Sequence, residues 1–392
     1  MTSSAERSTF NEIAGRVRSG QALSHADGVF LYRYPDLLGL GALANEVRER
    51  HHGDATYFNV NMHINPTNVC VADCKFCSFA RLEPTAEAAY ALSPAEVAEK
   101  LAARCDDPIT EVHIVNGLHH ELPWEYYLDC LRRLKAERPE VHLKAYTAVE
   151  IHYFAEKFGK SYTEVLTELQ EVGLGSLPGG GAEIFAPRAR RKLCRGKADA
   201  DQWLEVHRVA HGLGIRTNCT MLYGTVETLD ERVDHMLRLR DLQAETRGFQ
   251  TFVPLAFHAD HNALAQLPPP TGVDNLRTYA VARLMLDNIP HIKAYWVMIG
   301  LKTAQISLSF GVDDIDGTIQ EEKIYHMAGA ETPQALSRHD LVRLIREAGR
   351  RAVERDTLYN VLWRDDGAAS PHTRTDGSVP FSGSAAGLRV LN

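Results

Sequence analysis

The chain has 392 residues, 44% of them hydrophobic and 24% charged, which suffices for one large barrel or two ordinary domains with a sizeable core. Its formal net charge of -8 argues against nucleic acid or an anionic membrane surface as the main partner, because both reward a basic excess. The polar amino terminus lacks the apolar core of a signal peptide, and no run approaches the roughly 20 apolar residues of a membrane span, so a cytoplasmic protein is expected.

Residues 1–54 read as a helical preface to the main domain. Ser24 and Asp27 have capping-box spacing ahead of VFLY, and Asp36 opens LLGLGALANEVRERHH, whose apolar residues keep helical spacing up to Gly53. From residue 55 short apolar strands alternate with helical stretches, the pattern of parallel strands with crossover helices. The expected strands are Tyr57 to His63, Glu111 to Asn116, His142 to Thr147, Leu174 to Leu177, Arg216 to Leu222, Phe249 to Leu255, Ala294 to Met298 and Asp313 to Gly317. Helices are expected over Pro94 to Arg104, Trp124 to Glu137, Tyr162 to Glu171, Asp201 to Leu213, Leu229 to Glu245 and Gly272 to Asp287. Eight such steps define an α/β fold, a (β/α)8 barrel of the TIM type over residues 55–318. A helical extension over 319–365 follows, with LVRLIREAGRRAVER capped by Ser337 and Asp340, and residues 366–392 have the composition of a mobile tail.

In such a barrel the segments after the strands converge at one mouth, so the site is read from the strand ends. After the first strand comes His63 to Arg81, HINPTNVCVADCKFCSFAR, which holds Cys70, Cys74 and Cys77 in a C-x3-C-x2-C array. Three thiolates on one loop can hold three corners of an iron-sulfur cubane and leave the fourth iron open. No fourth cysteine follows closely, and there are no paired knuckles of a structural zinc site, although a bare zinc loop and a cluster with a distant fourth ligand stay open. The four other cysteines, Cys105, Cys130, Cys194 and Cys219, are scattered singly and read as core residues of a protein from a reducing compartment.

Gly179 to Gly181 lacks the lysine and hydroxyl of a phosphate-binding loop. His207 and His211 read as solvated helix residues rather than a metal pair, and the basic run Arg188 to Lys197 as a solvated helix face. His258, directly after the sixth strand, is the candidate to hold an anionic substrate at the mouth.

The array, with Phe76 before its third cysteine, resembles the signature of the radical S-adenosylmethionine (SAM) superfamily. The resemblance implies a [4Fe-4S] cluster held by Cys70, Cys74 and Cys77, with SAM chelated at the open iron. It further implies that Phe76 lies beside the cluster, that Asn116 and Gly117 receive the methionyl amino group, and that Glu183 contacts the ribose. Thr220 to Glu227 resembles the G-x-I-x-G-x-x-E segment of the adenosyl pocket, with Gly224 and Glu227 in place and Thr220 departing from the first glycine.

Across residues 55 to 363, HINPTNVC, NGLHHELP, KAYTAVEIH, SLPGGGAEIF, TMLYG, VPLAFH, DNIPHIKAYWVM and DDIDGT together resemble the aminofutalosine synthase family of the futalosine route to menaquinone. The cyclic dehypoxanthine futalosine synthase family is the rival, and HINPTNVC and SLPGGGAEIF favour the first. That resemblance implies addition of a 5'-deoxyadenosyl radical to an aryl enolpyruvyl ether, 3-[(1-carboxyvinyl)oxy]benzoate, with rearrangement and loss of carboxylate as bicarbonate. It also implies a reducing electron donor. A metal-binding scaffold without turnover is the alternative of another class.

Overall fold

The computed structural model describes residues 2–366. Helices Ser4–Arg18, His25–Arg33 and Leu37–His52 come first. In the second, Ser24 Oγ accepts from the Asp27 N–H while the Asp27 carboxylate takes the Ser24 N–H, a reciprocal cap. Asp36 caps the third through the Gly39 N–H at 2.9 Å, and Gly53, at φ 58°, ends it. The second and third helices pack on Gly272–Met285. The third also approaches the barrel closely, since a Cβ on Gly41 would stand 2.5 Å from the Phe310 ring.

The segment expected as one first strand is two. β1 (Ala55–Asn59) and β2 (Asn61–Ile64) part at the buried Val60 and enter different sheets. β2 begins a seven-stranded parallel sheet that continues in chain order through β3 (Glu111–Ile114), β4 (His142–Ala145), β5 (Leu174–Leu177), β6 (Arg216–Tyr223), β7 (Phe249–Ala256) and β8 (His291–Ile292). Parallel pairing demands crossovers, and the helices that supply them are one-sided. Trp124–Glu137, for example, buries Leu128, Leu131 and Leu134 and leaves the Arg132 and Arg133 face outward.

β9 (Asp314–Gly317) closes the ring between the two edges of that sheet. On the β8 side the Ala294 N–H donates to the Asp314 carbonyl at 2.8 Å; on the β2 side the His63 N–H donates to the Gln320 carbonyl at 2.8 Å. The expected α/β barrel is therefore present, with seven strands in one sheet and an eighth joined by isolated bridges. β9 also pairs with β1, which pairs in parallel with β10 (Arg351–Arg355), and β10 is antiparallel to β11 (Val361–Arg364).

The seventh strand is β8, three residues earlier than expected, and Trp296–Ile299 is a short helix. All four of its residues are buried, and a fully buried apolar run has no periodicity to tell helix from strand. The Trp296 indole N–H donates to the Gly317 carbonyl at 2.9 Å and pins the helix under β9. The extension after the barrel is not wholly helical: Arg338–Glu347 stops before Gly349 at φ 72°, and RAVER, expected as helix, is β10. Ala148–Phe158, a helix with no expectation attached to it, starts with a Thr147 and Glu150 capping box. The expected tail falls, from residue 367 on, outside the described residues.

Candidate active site

The cysteine loop is stitched to several strand exits at once. The Gly117 N–H donates to the Thr67 carbonyl at 2.8 Å and the Val71 N–H to Leu118 at 3.0 Å, tying it to the exit of β3. The Lys75 N–H reaches the Leu193 carbonyl at 2.8 Å, and the Ala263 N–H reaches back to Lys75 at 2.9 Å from beyond β7. Cys70, Cys74 and Cys77 all line one open cavity at the C-terminal ends of the strands. Burial pushes the Cys74 thiol up to about 12 and raises Cys77 as well, so an iron centre would displace protons to bind there.

Phe76, expected beside the cluster, and Asn116, Gly117 and Glu183, expected to contact SAM, share this lining. Glu183, in a left-handed turn at φ 46°, accepts from Lys197 Nζ at 2.7 Å, and that ammonium stands 5.3 Å from the Phe76 ring centre. Asn116 is held by Glu150, whose Oε1 accepts from its backbone N–H at 3.0 Å and from its Nδ2 at 3.2 Å. Asn116 Oδ1 is left buried and without a partner in the cavity lining. An unsatisfied buried carbonyl and a glycine pressed to the cysteine loop are what a bound amino group would complete. Three soft thiols beside them suit an iron-sulfur cluster.

Burial pushes the Glu150 carboxyl up to about 7, against the hydrogen bonds it accepts from Thr147 and Asn116. A carboxyl raised on folding contributes stability below its unfolded value and loses it as pH climbs through the folded one. Glu150→Gln, which keeps an acceptor toward Asn116, should therefore gain on the wild type by up to about 3 kcal/mol between pH 4.5 and 7. Urea unfolding of both proteins across that range measures it, and a pH-independent difference would refute the raised value.

Gly224, Glu227 and His258 do not reach the cavity lining. Glu227 folds back on its own turn, accepting from the Gly224 N–H at 2.6 Å, the Thr225 N–H at 2.9 Å and Arg232 Nε at 2.9 Å. Gly224 is required by its φ of 89° and by Pro270, 2.2 Å from any added Cβ. His258 Nε2 donates to the Met298 carbonyl at 2.7 Å, so that nitrogen is not free to meet an anion. Thr220, the departure from the glycine motif, does line the cavity and donates to the Gly179 carbonyl at 2.6 Å. His207 is fully buried, not solvated, and both it and His211 bond the Thr217 hydroxyl. The basic run is likewise no uniform face, since Arg190 is buried and Lys197 lines the cavity, and Cys105 is exposed rather than core.

Residues not singled out from the sequence form the deeper lining. In register, His63 on β2 lies beside His113 on β3, and His113 beside Lys144 on β4. All three line the cavity, as do Lys293 after β8 and Asp316 on β9. The signal was a polar residue at every second strand position, as in EVHI and HLKA, where a barrel normally packs apolar side chains.

A ring of parallel strands with a three-cysteine loop at its mouth defines a class, and the chain belongs to the radical SAM superfamily: residues 64–239 match its Radical SAM domain and 246–367 the CofH/MqnC C-terminal region. It is 51% identical to aminodeoxyfutalosine synthase of Thermus thermophilus, over 88% of this chain and 94% of the relative. It is 41% identical to the 5-amino-6-(D-ribitylamino)uracil--L-tyrosine 4-hydroxyphenyl transferase of Methanopyrus kandleri, over 88% of this chain and 94% of that protein. A crystal structure of methylornithine synthase shares the fold, with a TM-score of 0.69 at 17% identity, covering 86% of this chain and 96% of the other. The chain is thus an enzyme, and its family implies a [4Fe-4S] cluster and SAM. Among the described residues no helix is long and apolar enough to cross a membrane.

Proposed function

We propose that this enzyme is an aminodeoxyfutalosine synthase of menaquinone biosynthesis, which converts SAM, water and 3-[(1-carboxyvinyl)oxy]benzoate to aminodeoxyfutalosine, methionine and bicarbonate. The observation that carries it is one continuous cavity with the cysteine loop at its mouth and a polar, partly aromatic floor, in a chain 51% identical to a synthase of that name. Cys70, Cys74 and Cys77 would hold a [4Fe-4S] cluster, which, reduced by an external donor, would supply the electron for reductive cleavage of SAM to methionine and a 5'-deoxyadenosyl radical. The chain's own work is placement. Asn116 Oδ1 takes the methionyl amino group, Gly117 lets the backbone close on it, and Glu183 accepts from the ribose. Val253, Leu255 and Tyr325 wall the acceptor from water and stray hydrogen donors. Seven unpaired cysteines suit the reducing cytoplasm.

The test is anaerobic incubation of the reduced enzyme with SAM and the enolpyruvyl ether, weighing the product. Aminodeoxyfutalosine with loss of one carboxylate supports the synthase, and a product from L-tyrosine and a ribitylaminouracil instead would overturn it. Glu183→Ala should weaken SAM binding by about 1.5–3 kcal/mol, the worth of a hydrogen bond to a charged group. Equilibrium titration with SAM reads this, and an unchanged Kd would take Glu183 out of the ribose site.

A further inference from the structure

The floor of the cavity is built from charge. His113 lies three residues before Asn116 and Lys144 three before Thr147, so this layer is one step deeper in the barrel than the SAM contacts. Lys144 and Lys293 are both 3% exposed and both line the cavity. Lys144 Nζ donates to Glu111 Oε1 and Lys293 Nζ to Asp316 Oδ1 at 3.3 Å, so each buried ammonium has an acidic partner. An ammonium has three N–H donors, and one carboxylate bond leaves each lysine with donors to offer. Beside them His63, 8% exposed, has its Nε2 buried with no partner. Its ring stacks on His113 at 4.5 Å, and burial keeps both imidazoles below their usual range, so neither adds charge. The third cation of the lining, Lys197, is already engaged by Glu183 near the mouth.

We propose that the ring carboxylate of the aromatic acceptor is held on this floor by Lys144 and Lys293, with His63 Nε2 as third partner. The assignment rests on the synthase reading. In that reaction the vinyl carbon must meet the adenosyl group at the cysteine end, which turns the far end of the molecule, the benzoate, toward the deeper layer. The remaining N–H donors of the two paired ammonium groups bond it there and His63 Nε2 gains the partner it lacks, while the enolpyruvyl carboxylate stays near the mouth. The floor selects for an acid on the ring.

The test compares the acceptor with its analogue lacking the ring carboxylate, the phenyl enolpyruvyl ether, by equilibrium titration of the cluster-loaded enzyme with SAM present. Removing one buried charge leaves its partner exposed to the same penalty, so the variants are paired: Lys293→Met with Asp316→Asn, and Lys144→Met with Glu111→Gln. Asparagine tolerates the left-handed backbone at 316, where φ is 63°. The wild type should prefer the acceptor over the analogue by about tenfold or more, and each paired variant should lose that preference while the analogue's own Kd, the control for folding, holds. A preference that survives in both variants overturns the assignment, as does an equal loss for both ligands or a wild type that does not discriminate. A wild type that binds and discriminates but forms no aminodeoxyfutalosine fails the synthase reading instead, and the mass of the product separates the two failures.

Discussion

Replacing any one of Cys70, Cys74 and Cys77 with alanine is expected to abolish the iron-sulfur centre and all SAM cleavage while the barrel stays folded. Cys70 and Cys74 touch the apolar core, so each truncation costs packing of about 1 kcal/mol, one small group's worth. Domain stability is commonly about 5–15 kcal/mol, which absorbs that loss. Chemistry would not absorb it, because the cluster that the family implies is the route by which an electron would reach SAM. The informative control is Cys194, buried beside the cysteine loop, where Leu193 accepts from the Lys75 N–H. If its sulfur were a fourth ligand, no iron would be left open for SAM. Iron and sulfide content, with methionine release under reduction, should collapse in the three variants and persist in Cys194→Ala. Loss of the cluster in Cys194→Ala would sink the open-corner assignment.

Gly117→Ala should be the most damaging change outside the cysteines. Its Cβ would stand 2.2 Å from the Val69 carbonyl oxygen and 2.7 Å from the Val69 carbonyl carbon, both backbone atoms that no rotamer can move aside. The cysteine loop would have to lift from β3, losing the Gly117 to Thr67 and Val71 to Leu118 hydrogen bonds. Overpacking of this kind costs about 1–3 kcal/mol, and a displacement of about 1 Å between reacting groups can cost about a hundredfold in rate. Gly180→Ala is the milder comparison, since its Cβ would meet only the Thr147 methyl at 3.1 Å. Reductive SAM cleavage in the two variants should differ by roughly that factor of a hundred. Equal rates would show that the loop yields at little cost.

Strand positions were legible because apolar runs between turn residues mark them well, and β5 and the helix Trp124–Glu137 fall on their expected bounds. The mouth was legible through cysteine spacing and through glycines that backbone approach requires. Its far side was not. Glu227 sits where a pocket carboxylate belongs, but a free N–H two and three residues back is a nearer partner than any ligand, and such local bonds do not show in a motif. The floor was missed for another reason: Lys144 and Lys293 are 149 positions apart in sequence, and only barrel closure brings them to one layer.

β9 pairs with β1 in the four-stranded sheet and closes the ring on its other side through isolated bridges. β1 is the first strand among the described residues, yet its partners are β9 and β10, near their end. Arg355 of β10 donates to the Asp314 carboxylate of β9 at 2.7 Å inside the same seam. The cysteine loop is therefore synthesised some 280 residues before the seam behind the floor can lock, and long-range parallel pairing is slow. A chain cut before β9 and β10 would keep the three cysteines of the mouth but lose the strands that close the ring behind them.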